Sequence, residues 1–197
     1  MRDDPEPRAA GPFIAVVGPS GAGKDTILAL ARPHLGPGIC FARRVITRVS
    51  QVEAEDHDCL DEAGFDAAER DGAFCLSWAA HGLRYGLPAQ LLAHCQGGEA
   101  VVANVSRRAL GPAALRFTPL HVVEITAPRA LLVERIAARG RESAEEIEAR
   151  LARNVALDIP EGAHGPHRID NSGRAEDAAA DFVRLVMGLV SGARAAA

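Results

Sequence analysis

The chain has 197 residues, 48% of them hydrophobic and 4% aromatic, with a formal net charge of −4. That length fits one domain with a sizeable core, and the acidic balance and scarcity of rings argue against a nucleic-acid surface of basic patches and stacking platforms. No run of about 18 apolar residues is present, so the pattern excludes a membrane-spanning helix.

Residues 1–12 are charged and proline-rich, lack an apolar signal core and read as a disordered lead. Phe13-Ile14-Ala15-Val16-Val17 is a short apolar run ending in glycine, the pattern of a buried parallel strand. Gly18-Pro19-Ser20-Gly21-Ala22-Gly23-Lys24 follows, and residues 26–35 then carry helical apolar spacing. Residues 39–86 read as a small, partly antiparallel insertion: the segment 41–47, an acidic loop over 53–61, a short helix near 62–70, and the segments 73–78 and 83–86. Strands at 100–103 and 121–125 alternate with helices at 88–96, 107–115 and 128–139. Such alternation predicts a parallel sheet covered on both faces. A last short strand at 168–170 and a closing helix over 178–190 complete a domain spanning 13–191, with 192–197 as a tail. Cys40, Cys59, Cys75 and Cys95 form no C-x-x-C pair, and no histidine pair follows them at metal-site spacing. They read as reduced thiols of a cytoplasmic protein. Trp78 reads as core, and His81, His94, His121, His164 and His167 as surface or loop residues.

Lys24 is the single lysine among 22 basic residues. It stands where a G-x-x-x-x-G-K loop needs a compact ammonium to reach the β- and γ-phosphates of a nucleotide. Strand, glycine loop and helix occur in the order a phosphate-binding loop requires. The loop amides form an anion nest, to which the helix start adds its positive end. Gly18, Pro19, Ser20, Gly21, Ala22, Gly23, Lys24, Asp25 and Thr26 are therefore the expected nucleotide-binding residues. The residue after the lysine is normally Ser or Thr, a magnesium ligand. Here it is Asp25, which leaves two readings: a carboxylate that holds Mg2+, or an N-terminal helix cap.

Arg135 and Arg139, four residues apart, share a helix face. Gly140 can end that helix, and Ser143 with Glu146 forms a capping box for another, which carries Arg150. This makes 135–153 a helical lid whose arginines, Arg135, Arg139 and Arg150, would stabilise a phosphoryl group in flight together with Lys24. A solvated, salt-bridged surface is the alternative for such a segment.

These features, in this order, resemble guanylate kinase and its relatives, over nearly the whole chain after Pro12. Ile46-Thr47-Arg48 resembles the family's Thr-Thr-Arg segment, and Ser77-Trp78-Ala79 through Arg84-Tyr85-Gly86-Leu87-Pro88 its Glu-Trp-Ala…Tyr-Tyr-Gly-x-Pro segment. Arg139-Gly140-Arg141-Glu142-Ser143 resembles its lid, and Asp170-Asn171 its late asparagine near adenine. The departures cluster on the acceptor side. Ser77 and Ser106 stand where base-reading carboxylates are expected, the second arginine of the acceptor clamp is missing, and His57 replaces a phosphate-binding tyrosine. A purine pocket stripped of its complementary groups loses its selectivity. Arg48, His57, Ser77, Tyr85, Ser106 and Arg107 are then the acceptor-binding candidates, suited to a small sugar phosphate.

With Gly-Lys-Asp in the loop, the pattern resembles the ribose 1,5-bisphosphate phosphokinases of bacterial phosphonate breakdown. The resemblance implies a three-layer α/β/α phosphate-loop kinase with a parallel central sheet, a small acceptor-binding insertion and a helical lid. It implies ATP as donor, Mg2+ as cofactor, Asn171 beside the adenine, and 5-phosphoribosyl 1-diphosphate as product. A guanylate kinase with an unusual base pocket and a non-catalytic binding module of the same fold are the competing expectations. No nucleic-acid or membrane partner is expected, and homodimerisation is left open.

Overall fold

A computed structural model of the protein describes residues 10–47, 57–80, 82–138 and 156–195. Five parallel strands form the central sheet in the order β2-β7-β1-β8-β9. They are β1 (Phe13–Val17), β2 (Ile39–Phe41), β7 (Ala100–Asn104), β8 (Leu120–Thr126) and β9 (His164–Asp170). The three inner strands, β1, β7 and β8, are almost entirely buried, as near-continuous apolar runs in a parallel sheet should be.

Strand alternation sorts β1 between two cores. Phe13, Ala15 and Val17 face a layer with Leu91, Cys95, Leu110 and Ala113. That layer comes from helices α3 (Gln90–Gln96) and α4 (Leu110–Ala114). Ile14 and Val16 face the other layer, with Ile27, Ala31, Leu132, Ile136, Phe182 and Val186. Those side chains belong to α1 (Lys24–Ala31), α5 (Arg129–Ala137) and α6 (Ala175–Ala195). The result is the expected three-layer α/β/α architecture, and no helix among the described residues is long and apolar enough to cross a membrane.

Four strands form a second, smaller sheet in the order β4-β3-β6-β5. They are β3 (Arg44–Thr47), β4 (His57–Leu60), β5 (Phe74–Ala80) and β6 (Leu83–Pro88). The β3–β6 and β5–β6 pairs are antiparallel, and β3–β4 is parallel. Two details differ from the sequence reading. Ile39–Phe41, taken as the start of the insertion, is the edge strand of the central sheet. His57–Leu60, taken as part of the acidic loop over 53–61, is a strand, because Arg44–Thr47 offers it a parallel partner that local composition does not reveal. Helix α2 (Glu62–Arg70) starts on Asp61, whose carboxylate accepts from the Gly64 amide at 2.7 Å. Phe65 of α2 lies against Phe74 of β5, with ring centroids 4.8 Å apart.

All four cysteines are free thiols. Burial pushes the Cys95 thiol up to about 12, so it stays protonated at neutral pH. Two histidines, His121 of β8 and His167 of β9, depart from the surface reading. His121 and His167 are half-buried, and the His121 ring lies 4.9 Å from that of His164. Burial, then the neighbouring His164 and His167, push the His121 imidazole down to about 4.

Candidate active site: a phosphate cradle facing a small acceptor sheet

The chain leaves β1 into a loop that only glycine can trace. A Cβ at Gly18 would run into the Ile125 carbonyl, and one at Gly23, where φ is +85°, into the Asn171 amide. Gly23 is also the left-handed residue from which α1 starts. Lys24 folds back over this loop. Its Nζ donates to the Gly18 carbonyl at 2.8 Å and the Pro19 carbonyl at 3.1 Å. The ammonium is thus held against the carbonyls of the loop itself.

The loop is braced from two sides. Asn171, almost fully buried after β9, donates from Nδ2 to the Ala22 carbonyl at 2.8 Å. The described geometry makes Asn171 a brace of the loop itself. On the other side α5 presses against Gly21 through Leu132 and Ile136. Arg135, on the same helical turn, has a buried Nη1 with no hydrogen-bond partner among the described residues. Arg48, Arg139 and Arg150 lie outside the described residues, as does most of the lid.

Asp25 lies in the first turn of α1, one residue after Lys24. Its carboxylate accepts from Asn104 Nδ2 at 2.6 Å and lies 3.5 Å from the Arg44 guanidinium. Asn104 ends β7, directly beside Val16 of β1, so the parallel register delivers its amide to the start of α1. As a half-exposed oxygen donor one residue after Lys24, Asp25 has the hard-ligand chemistry that Mg2+ takes.

Arg44, missed in the sequence, reaches this point from the small sheet. Its side chain is 15% exposed, and its guanidinium lies 5.9 Å from the centre of the Tyr85 ring. Tyr85 stacks on Trp78, its cross-strand partner, at 5.4 Å. Register explains the grouping. Arg44 pairs with His57, Ile46 with Tyr85, and Tyr85 with Trp78, and paired residues share a face. His57 and Tyr85 therefore share the sheet face that carries Arg44. The available signal was strand parity: Arg44 stands two residues before Ile46, on its face.

The same parity separates Ser77 from this group. It pairs with Gly86, on the face covered by α2. There Ser77 Oγ donates to Glu69 at 2.5 Å, and Arg84 binds Glu69 at 2.6 Å and Asp66 while lying 4.4 Å over the Phe65 ring. Ser106 caps the short 3-10 turn Arg107–Ala109, accepting from the Arg108 amide at 3.3 Å. Arg107 turns to Glu124, donating at 3.0 Å, and Arg168 donates to the other carboxylate oxygen at 3.1 Å. Glu124 lies in β8 beside Val17 and is buried. Its place within an apolar run hid this charged triad from the sequence.

Fold and site together define a phosphate-loop kinase of the guanylate kinase type. A crystal structure of guanylate kinase from Anaplasma phagocytophilum superposes with a TM-score of 0.65 at 16% identity, covering 92% of this chain and 87% of that one. A sugar kinase from a Janibacter species superposes with a TM-score of 0.52, again at 16% identity, covering 95% and 98%. No protein-family model matches the chain. Relatives do. The protein is 53% identical over 165 residues to a ribose 1,5-bisphosphate phosphokinase PhnN of Brucella melitensis, covering 83% of this chain and 85% of that one. It is 46% identical over 191 residues to the enzyme of the same name from a Chelativorans species, covering 94% and 90%. It also matches a bifunctional ribose 1,5-bisphosphokinase-thymidine phosphorylase of Cupriavidus pinatubonensis at 48% over 158 residues, 26% of that longer protein. The chain belongs to the ribose 1,5-bisphosphate phosphokinase family.

Proposed function

We propose that the protein transfers the γ-phosphoryl group of ATP to the 1-phosphate of ribose 1,5-bisphosphate, giving 5-phosphoribosyl 1-diphosphate and ADP, in cytoplasmic phosphonate catabolism. A non-bridging oxygen of the C1 phosphate attacks the γ-phosphorus, and the bond from that phosphorus to the β–γ bridging oxygen breaks. The nucleophile is already an anion, so no general base is needed, and positioning and electrostatics carry the step.

In this reading the amides of the 18–24 loop hold the donor phosphates, and Lys24 moves from the loop carbonyls onto the β- and γ-oxygens. Asp25 would hold Mg2+, which screens the phosphate charge when bound. Arg135, Arg139 and Arg150 would neutralise the group in flight, and Arg48, His57 and Tyr85 would hold the acceptor. Ser77, Ser106, Arg107 and Asn171 take scaffolding parts: the first three are engaged by Glu69, the Arg108 amide and Glu124, and the last by the loop.

The observation that carries the reading, with family membership, is the contrast across the cleft. The phosphate cradle faces the small sheet, and the two expected base-reading positions, Ser77 in that sheet and Ser106 after β7, hold serines that bond to Glu69 and the Arg108 amide. Phosphorus NMR of the protein with ATP, Mg2+ and ribose 1,5-bisphosphate should show a new diphosphate linkage on the sugar as ADP accumulates. ADP formation without that linkage would overturn the assignment.

A further inference from the structure

We propose that Arg44 is the residue that selects an anionic acceptor, and that its ion pair with Asp25 links the acceptor subsite to the donor subsite. The inference rests on the phosphoryl-transfer reading above and adds a residue and a coupling to it.

The starting point is an arginine that is largely buried yet weakly matched. A guanidinium withdrawn from water needs an anionic partner. Arg44 has Asp25 at 3.5 Å. That is longer than the 2.7–2.9 Å typical of a charge-assisted hydrogen bond. Asp25 makes its short bond to Asn104 instead, at 2.6 Å. The guanidinium also lies over the Tyr85 ring, which offers it a π-face. Among the described residues most of the donor capacity of Arg44 is thus unspent, and it is presented between Tyr85 and the residue that follows Lys24.

A planar fork in that position matches two oxygens of a phosphate. A phosphate monoester seated there lies on the acceptor side of Asp25, within reach of the donor cradle, which suits the group that is to be phosphorylated. Once Arg44 turns to it, Asp25 keeps Asn104 but loses its cationic neighbour. Its carboxylate then attracts a divalent cation more strongly. Acceptor and magnesium–nucleotide should therefore bind with positive coupling, and the coupling must be the same whichever binds first.

The protein contains its own probe. Trp78 is the single tryptophan and Tyr85 the single tyrosine, and they stack beside Arg44. The test is binding without turnover, read by Trp78 fluorescence, for ribose 1,5-bisphosphate, GMP and inorganic phosphate, each with and without Mg2+ and ADP. Wild type, Arg44→Gln and Arg44→Lys are compared, with circular dichroism to confirm folding. Arg44→Gln should weaken the phosphate ligand by about 10- to 100-fold, the loss expected for hydrogen bonds to a charged group. Arg44→Lys should recover part of that loss. ADP binding without Mg2+ should be unchanged, and the cooperativity between acceptor and Mg2+–ADP should vanish in Arg44→Gln. A response to GMP alone that still depends on Arg44 would overturn the sugar-phosphate substrate and leave Arg44 as the phosphate ligand. Equal acceptor affinity in wild type and Arg44→Gln would overturn the proposal. So would an equal weakening of metal-free ADP, or no phosphate-dependent change in wild type.

Discussion

The two halves of the cleft are built on different principles. The donor half comes from one continuous stretch, β1, the glycine loop and α1, so each residue's place follows from its chain neighbours. The acceptor half comes from four strands whose side chains reach the cleft only if strand parity points them there. One step along β5 separates Trp78, on the face of Tyr85 and Arg44, from Ser77, on the face of α2. A phosphate loop can thus keep its form while the acceptor sheet changes its ligand by substitutions on one face.

Four substitutions test that contrast, from the largest expected effect to the smallest. Glu124→Ala leaves the Arg107 guanidinium buried beside Arg168 without its carboxylate and should cost about 3–5 kcal/mol of stability, read by denaturant unfolding. A stable variant with weakened acceptor binding would instead return Arg107 to the acceptor site. Lys24→Arg keeps the charge but puts a wide fork where a compact ammonium sits between two carbonyls. Turnover should fall by about 10²–10³-fold with the melting temperature nearly unchanged. Ser77→Glu restores the residue expected of a guanine pocket, but on the face of Glu69. GMP turnover should stay within about twofold of wild type, the range of changes that touch no ligand. A clear gain of GMP turnover would show that position 77 does face the acceptor.

The smallest effect lies far from the cleft. His121 is held neutral by burial, with its pKa pushed down to about 4. The unfolded chain takes up a proton there near the ordinary histidine value of about 6.5. Between those limits the unfolded state binds more protons, so stability is full above about pH 6.5 and declines as pH falls toward 4. His121→Asn should flatten that decline in a melting-temperature profile, while turnover at neutral pH stays that of wild type.

The donor half was readable because phosphate binding fixes residue types at fixed spacing. Phe13–Val17 is recovered to the residue, and the loop–helix junction follows from Gly23 and Lys24. The acceptor half was readable as an insertion with a helix over Glu62–Arg70, but not in its pairing. The register that joins Arg44, His57 and Tyr85 depends on contacts between segments far apart in sequence. Arg44 was passed over because the motif match began at Ile46. Glu124 and the short 3-10 turn, which engage Arg107 and Ser106, leave no local pattern. Asp25 was ambiguous because a carboxylate in a helix's first turn suits both a cap and a metal ligand. The structure adds a contact that neither reading contains, the bond from Asn104.

The central claim is that a conventional donor cradle serves an acceptor sheet made for a sugar phosphate. The most direct measurement is kcat/KM for ribose 1,5-bisphosphate and for GMP in one ATP-consumption assay, at saturating ATP and Mg2+. The account predicts a preference for ribose 1,5-bisphosphate on the order of 10³-fold or more, since the pocket lacks partners for a guanine edge. Comparable or better turnover of GMP would contradict it.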